Sequence, residues 1–163
     1  GASDTFLLWR AHQVGIATVY APLLWFVLAA VKAGSSTWGG SLSDRFGRRA
    51  MIMAGWGLYA AVYLAFAFAA RPWEIWALFT VYGLFYGLSE GAERALVVDL
   101  VREEWRGRAL GAYQAATGIA LLPASLIFGF LYQQAGAEAA FIFGATMAAI
   151  AAAIFPHTES HGP

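Results

Sequence analysis

The sequence predicts an all-α, multi-spanning membrane helix bundle, and three observations carry that reading. Hydrophobic residues fill 60% of the 163 positions and charged residues 12%, against roughly 45–50% and about 25% in soluble domains. So little polar surface cannot coat a soluble core. The apolar residues gather in long runs, several near the roughly 20 residues that cross a bilayer core of about 30 Å as a helix. The arginines collect at alternate junctions between those runs. Arg45, Arg48, Arg49, Arg102, Arg106 and Arg108 lie on one set, Arg10 and Arg71 on the other. That asymmetry orients spans with the Arg-rich junctions toward the cytoplasm, so multi-pass insertion in a cell (inner or plasma) membrane is expected.

Each span follows in order. Residues 1–9 are apolar enough for a helix, but nine residues rise only about 14 Å, so a partial span is expected there. Residues 16–42 are long enough to cross with tilt and hold one charge, Lys32; residues 50–70 hold none. Residues 72–101 open with Pro72, which suits a first helical turn, and with Trp73 and Trp76, which suit an interfacial belt. Residues 109–132 are apolar apart from Gln114 and hydroxyls, with a kink expected at Pro123. Residues 137–155 are the shortest full span, and 156–163 form a tail expected on the cytoplasmic side.

Several function classes are disfavoured. Zero net charge argues against a nucleic-acid partner. The absence of cysteine removes disulfides and thiolate metal sites. His157 and His161 have ligand-like spacing, but the tail offers no helix to hold them. No G-x-S-x-G, H-E-x-x-H or P-loop pattern occurs, so neither a catalytic group, a metal nor a cofactor is expected.

Between the first two full spans, residues 44–49 compress four charges into six positions. Basic residues just inside a membrane hold orientation and attract anionic headgroups, which accounts for Arg45, Arg48 and Arg49. It leaves Gly40, Asp44 and Gly47 unexplained. Gly40 ends a run of small residues, Gly34, Ser35, Ser36 and Gly39, that permits close helix approach. Gly47 suits a tight turn. Asp44 is suited to accept hydrogen bonds at a neighbouring helix's N-terminus, where the dipole favours a carboxylate.

The pattern Gly40-x-x-x-Asp44-Arg45-x-Gly47-Arg48-Arg49 resembles the signature loop of the major facilitator superfamily, G-x-x-x-D-(R/K)-x-G-R-(R/K), at every defined position. At average residue frequencies a chance match is below about one in a million. A second junction, "DLVREEWRGRALG", is similar to the family's D-x-x-P-x-x-x-R-G-x-x-x-G connection through Asp99, Arg106, Gly107 and Gly111, with Arg102 in place of Pro. The resemblance covers essentially the whole chain. It implies one six-helix half of the fold with its first helix truncated: the C-terminal half, from the end of helix seven through helix twelve, with an N-terminal half missing. It also implies secondary active transport of a small solute by alternating access, with Asp44 helping to close the cytoplasmic side and Arg45, Arg48 and Arg49 tuning that loop. Asp99 and Arg106 are expected to pair with each other, or with Arg45 or Asp44, as a reversible gate latch.

Lys32, Glu90, Glu93 and Arg94 are the charges inside spans, where each costs about 2.5–3.5 kcal/mol unless paired or hydrated. At 100° per residue the last three share about a 100° sector of their helix, beside glycines at 83, 87 and 91. Lys32 lies about 18 Å from Asp44 along its helix and Glu90 about 14 Å from Asp99, so pairing of Lys32 with Glu90 or Glu93 is feasible. Trp25, Lys32, Ser36 and Gly39 share a face suited to line a cavity.

Two readings follow. In one, Glu90 and Arg94 form an internal salt bridge in a non-transporting helical scaffold. In the other, these residues and Gln114 line a pathway for substrate or a coupling proton, with Glu93 the preferred proton carrier and efflux by antiport the expected mode. A paired cluster closed to solvent favours the first, and a polar face open to a cavity the second.

Overall fold

The architecture is that of a computed structural model, which describes residues 2–154. Five helices run through it: α1 (Ala2–Gln13), α2 (Ala21–Phe46), α3 (Arg48–Phe68), α4 (Pro72–Asp99) and α5 (Arg106–Ile154). Short 3-10 turns precede α2 (Thr18–Tyr20) and α5 (Glu103–Trp105). Among the described residues there is no strand. The 26 residues of α2 and 28 of α4 make rods of about 40 Å, longer than a hydrocarbon core. Among the described residues three stretches are long and apolar enough to cross a membrane: Thr18–Phe46, Arg48–Phe68 and Glu103–Ile154. The charge-bearing α4 is not among them, yet it occupies the middle of the bundle, packed between α2 and α3.

The turns are shorter than the sequence suggests. Asp44 and Arg45 belong to the last turn of α2, and Arg48 and Arg49 open α3, so Gly47 alone makes the turn. Its φ of 86° lies in the left-handed region that glycine enters without steric cost. Arg106, Gly107 and Gly111 likewise fall within the first turns of α5. The break expected between the last two spans reduces to one residue, Gly136, at φ 87° and ψ 173°. Pro123 removes one N–H from the α5 ladder, but the backbone there keeps helical angles. The tail 156–163, with His157 and His161, lies outside the described residues.

Aromatic residues knit the core. Phe66 lies 5.8 Å from Phe79 and 5.7 Å from Phe141 between ring centroids, and Tyr63 lies 5.4 Å from Phe141. These contacts bring α3, α4 and the far arm of α5 together. Leu7, on α1, is fully buried in the same cluster. Trp73 is exposed, as a belt residue would be, whereas Trp76 packs against the core. Along α5, Ile119, Leu122, Leu126 and Phe130 point outward, which hydrocarbon tolerates and water does not.

The α2–α4 contact depends on glycine. A Cβ on Gly39 would stand 2.5 Å from the Gly87 carbonyl oxygen, and one on Gly83 would stand 2.9 Å from Val31 Cβ. A Cβ on Gly87 would collide with Ser35. Gly91, the third of the series, faces open space and takes no part in the seam. At the other end, Arg10 donates to the carbonyls of Phe66, Ala67 and Ala69 at 3.2, 3.2 and 3.0 Å. A helix's last carbonyls have no partner within the helix, and the dipole there favours a cation. Arg10 thus fastens α1 to the end of α3.

Candidate functional site

Close approach of α2 and α4 along the glycine seam is what brings Lys32 to Glu90. Lys32 Nζ lies 2.5 Å from Glu90 Oε2, and Arg94 Nη2 lies 2.5 Å from Glu90 Oε1. One carboxylate therefore bridges two cations, one from each helix. Lys32 Nζ also sits 4.9 Å from the centre of the Tyr86 ring, within range of a cation–π attraction. The cluster is not sealed: the Lys32 and Arg94 side chains are 43% and 52% exposed and that of Glu90 29%.

Glu93, one residue from Arg94, turns the other way. Its Oε1 accepts the Trp56 indole N–H at 3.0 Å and its Oε2 the Tyr113 hydroxyl at 2.6 Å. The carboxylate thus joins α3, α4 and the start of α5 through neutral donors. Between the two carboxylates opens a cavity of about 170 Å³, lined among others by Tyr86, Glu90, Glu93, Arg94, Tyr113, Gln114 and Thr117. Of the face expected on α2, Trp25 and Ser36 are exposed, while Gly39 is buried in the seam. A glycine that admits a neighbouring backbone cannot also line a cavity.

The loop residues assemble at the other end of α4. Ser43, Asp44, Arg48, Arg49 and Asp99 border an open groove of about 580 Å³. Arg48 donates to the Ala95 carbonyl at 2.5 Å and pairs with the Asp99 carboxylate. Asp99's partner is therefore neither Arg106 nor the Asp44–Arg45 pair. Arg48, at the start of α3, reaches both the Ala95 carbonyl and the Asp99 carboxylate near the end of α4, the place where a helix dipole favours a cation. Arg106 turns instead to Glu103, 4.0 Å away. Asp44 and Arg45 are exposed, and among the described residues no hydrogen bond involves the Asp44 side chain. Gly107 and Gly111 face open space.

The sequence does not single out Tyr86, nor the two partners of Glu93, Trp56 and Tyr113. Those partners stand 37 and 20 positions from Glu93, and no spacing rule links residues that far apart. A phenol one place before Gln114 was the one available hint.

The chain matches the family model described as Major Facilitator Superfamily over residues 5–162. It is similar to an uncharacterized MFS-type transporter of Methanocaldococcus jannaschii, 38% identical over 111 residues, which is 68% of this chain and 28% of that protein. It is also similar to proteins named multidrug resistance protein MdtH. That of Cronobacter sakazakii is 34% identical over 77% of this chain and 29% of its own length. That of Klebsiella pneumoniae is 38% identical over 61% of this chain and 23% of its own. The chain thus spans less than a third of the length of these curated relatives. No solved structure matches it. With its all-helical architecture and a match along nearly its whole length, this chain belongs to the Major Facilitator Superfamily.

Proposed function

We propose that this chain is the C-terminal half of a secondary active transporter, not an enzyme, which moves a small solute across a lipid bilayer by alternating access. Two halves rock about a site near the midplane, and the chain supplies one wall of that site. The observation that carries the reading is the Lys32–Glu90–Arg94 cluster, part exposed beside a cavity inside a facilitator bundle. A structural salt bridge is best sealed from solvent, whereas these paired charges stay part exposed beside a cavity, as residues lining a pathway do.

The name multidrug resistance protein, borne by several relatives, supports export as the direction. Protons are the proposed coupling ion, exchanged for solute at Glu93 or Glu90. The groove of Asp44, Arg48, Arg49 and Asp99 is the proposed cytoplasmic latch, since Arg48 spans α3 and α4 through contacts that open without unfolding either helix. The Arg-rich junctions and residues 156–163 are placed at the cytoplasmic face of the inner or plasma membrane. The partners are then solute, protons, bilayer and the N-terminal half.

The test is solute flux by the full-length transporter in proteoliposomes under an imposed pH gradient, wild type against Glu90→Gln and Glu93→Gln. Loss of gradient-driven flux with solute exchange retained is expected for the proton-carrying carboxylate. Gradient-driven flux at the wild-type rate in the double variant would remove proton coupling at these sites. A latch role predicts that Asp44→Asn slows cycling without impairing insertion.

A further inference from the structure

We propose that the transported solute carries an anionic group, and that Lys32 and Arg94 take that group in place of Glu90. The inference rests on the transporter reading and names the class of solute for the same site. Glu90 offers one oxygen to each cation, both at 2.5 Å, so the two cations already stand at a spacing that one carboxylate satisfies. A solute carboxylate, sulfonate or phosphate presents the same pair of oxygens. The guanidinium fork of Arg94 suits bidentate recognition of such groups, and Lys32 adds a point charge.

The order of exposure points the same way. Within the Lys32–Glu90–Arg94 cluster two cations face one carboxylate, and Glu93, on the same cavity, brings the four charges to balance. The cluster's cations are the open members, at 43% and 52% exposure against 29% for the carboxylate between them. An approaching solute meets positive charge first. A cationic solute would meet carboxylates whose oxygens each already accept a bond, Glu90 from two cations and Glu93 from Trp56 and Tyr113. Phe85 and Tyr86 line the same cavity, with the Tyr86 ring beneath Lys32, and supply apolar area for an organic body. The cavity of about 170 Å³ is smaller than the roughly 300–1,000 Å³ of complete small-molecule pockets, which suits an anionic head with part of its body. The solute class is an amphipathic organic anion, and Glu90 is its internal competitor.

The experiment uses three probes on one scaffold: naphthalene carboxylate, naphthalene carboxamide and naphthylmethylammonium. Flux is measured with the full-length transporter in proteoliposomes, and binding in detergent. The carboxylate is expected to be preferred, with its KM raised about 10- to 100-fold in Lys32→Gln and in Arg94→Gln and much less in Lys32→Arg. In Glu90→Gln the carboxylate is expected to bind several-fold more tightly, because the cations no longer have to be vacated first. A salt bridge that is merely structural would not produce that gain. Should Glu90→Gln fail to insert, Glu90→Asp, whose shorter arm cannot hold both cations at once, is expected to shift affinity in the same direction. Preference for the ammonium or amide probe, weaker or unchanged carboxylate binding in the Glu90 variants, or no binding of any probe overturns the anion site. Flux of the ammonium or amide alone overturns the anion site and leaves the transporter reading standing. Carboxylate binding without flux of any probe does the reverse.

Discussion

Replacing Gly39 with alanine tests the contact on which the site is built. The new Cβ would stand 2.5 Å from the Gly87 carbonyl oxygen and 3.1 Å from Leu88 Cα. Both are backbone atoms of α4, so no side chain can swing aside to relieve the clash. Comfortable C···O contacts begin at about 3.3 Å, so α2 and α4 must part locally by about 1 Å. Overpacking of that kind costs about 1–3 kcal/mol, offset by no more than about 1 kcal/mol of added helix propensity. At about 2–4 °C per kcal/mol for a domain of this size, the clash alone, before that offset, should lower the melting point of the detergent-solubilised protein by about 2–12 °C, read by intrinsic fluorescence. The same displacement stretches the Lys32–Glu90 bridge, because it joins the same two helices. The control is Gly34→Ala, five residues earlier on α2, where a Cβ meets nothing within 4 Å; it should melt at or slightly above wild type. Equal melting temperatures for the two variants would refute a glycine-dependent α2–α4 seam, and with it the geometry that joins Lys32 to Glu90.

Other contacts yield further expectations. Arg10→Gln leaves the Phe66, Ala67 and Ala69 carbonyls without their donor and should cost about 1–3 kcal/mol; hydrogen exchange at the end of α3 should rise selectively, and unchanged exchange there would count against the staple. A double-mutant cycle on Arg48→Gln and Asp99→Asn should give a coupling of about 0.2–1 kcal/mol, the size of a part-exposed ion pair, and strict additivity would show the pair to be idle. Tyr113→Phe removes the hydroxyl that Glu93 holds at 2.6 Å and should destabilise by about 1.5–3 kcal/mol, the range for a bond to a charged group. Most of that loss should disappear in a Glu93→Gln background. If the two effects simply add, Tyr113 is not acting through Glu93.

Much of this protein was legible in the chain alone. Long apolar runs fixed its helicity, because a segment surrounded by hydrocarbon must satisfy every backbone group within itself. The knot from Gly40 to Arg49 was legible because its parts are local: a glycine for the turn, arginines within reach of one loop, small residues for close packing. Lys32, Glu90, Glu93 and Arg94 stood out for the same reason, as charges with no local means of solvation. Which carboxylate meets which cation was not legible. Glu90 and Glu93 differ by about 60° around one helix, and periodicity along a helix says nothing about where a second helix is rotated or how closely it lies. The tertiary structure decided it through Gly39, Gly83 and Gly87, whose missing side chains let α2 approach α4 at the register that places Lys32 beside Glu90. It likewise turned Glu93 toward Trp56 and Tyr113, and gave Asp99 to Arg48 rather than Arg106. Each of those partners is remote in sequence, and a hydrogen bond or ion pair fades within an ångström or two, so only the packed bundle could choose among them.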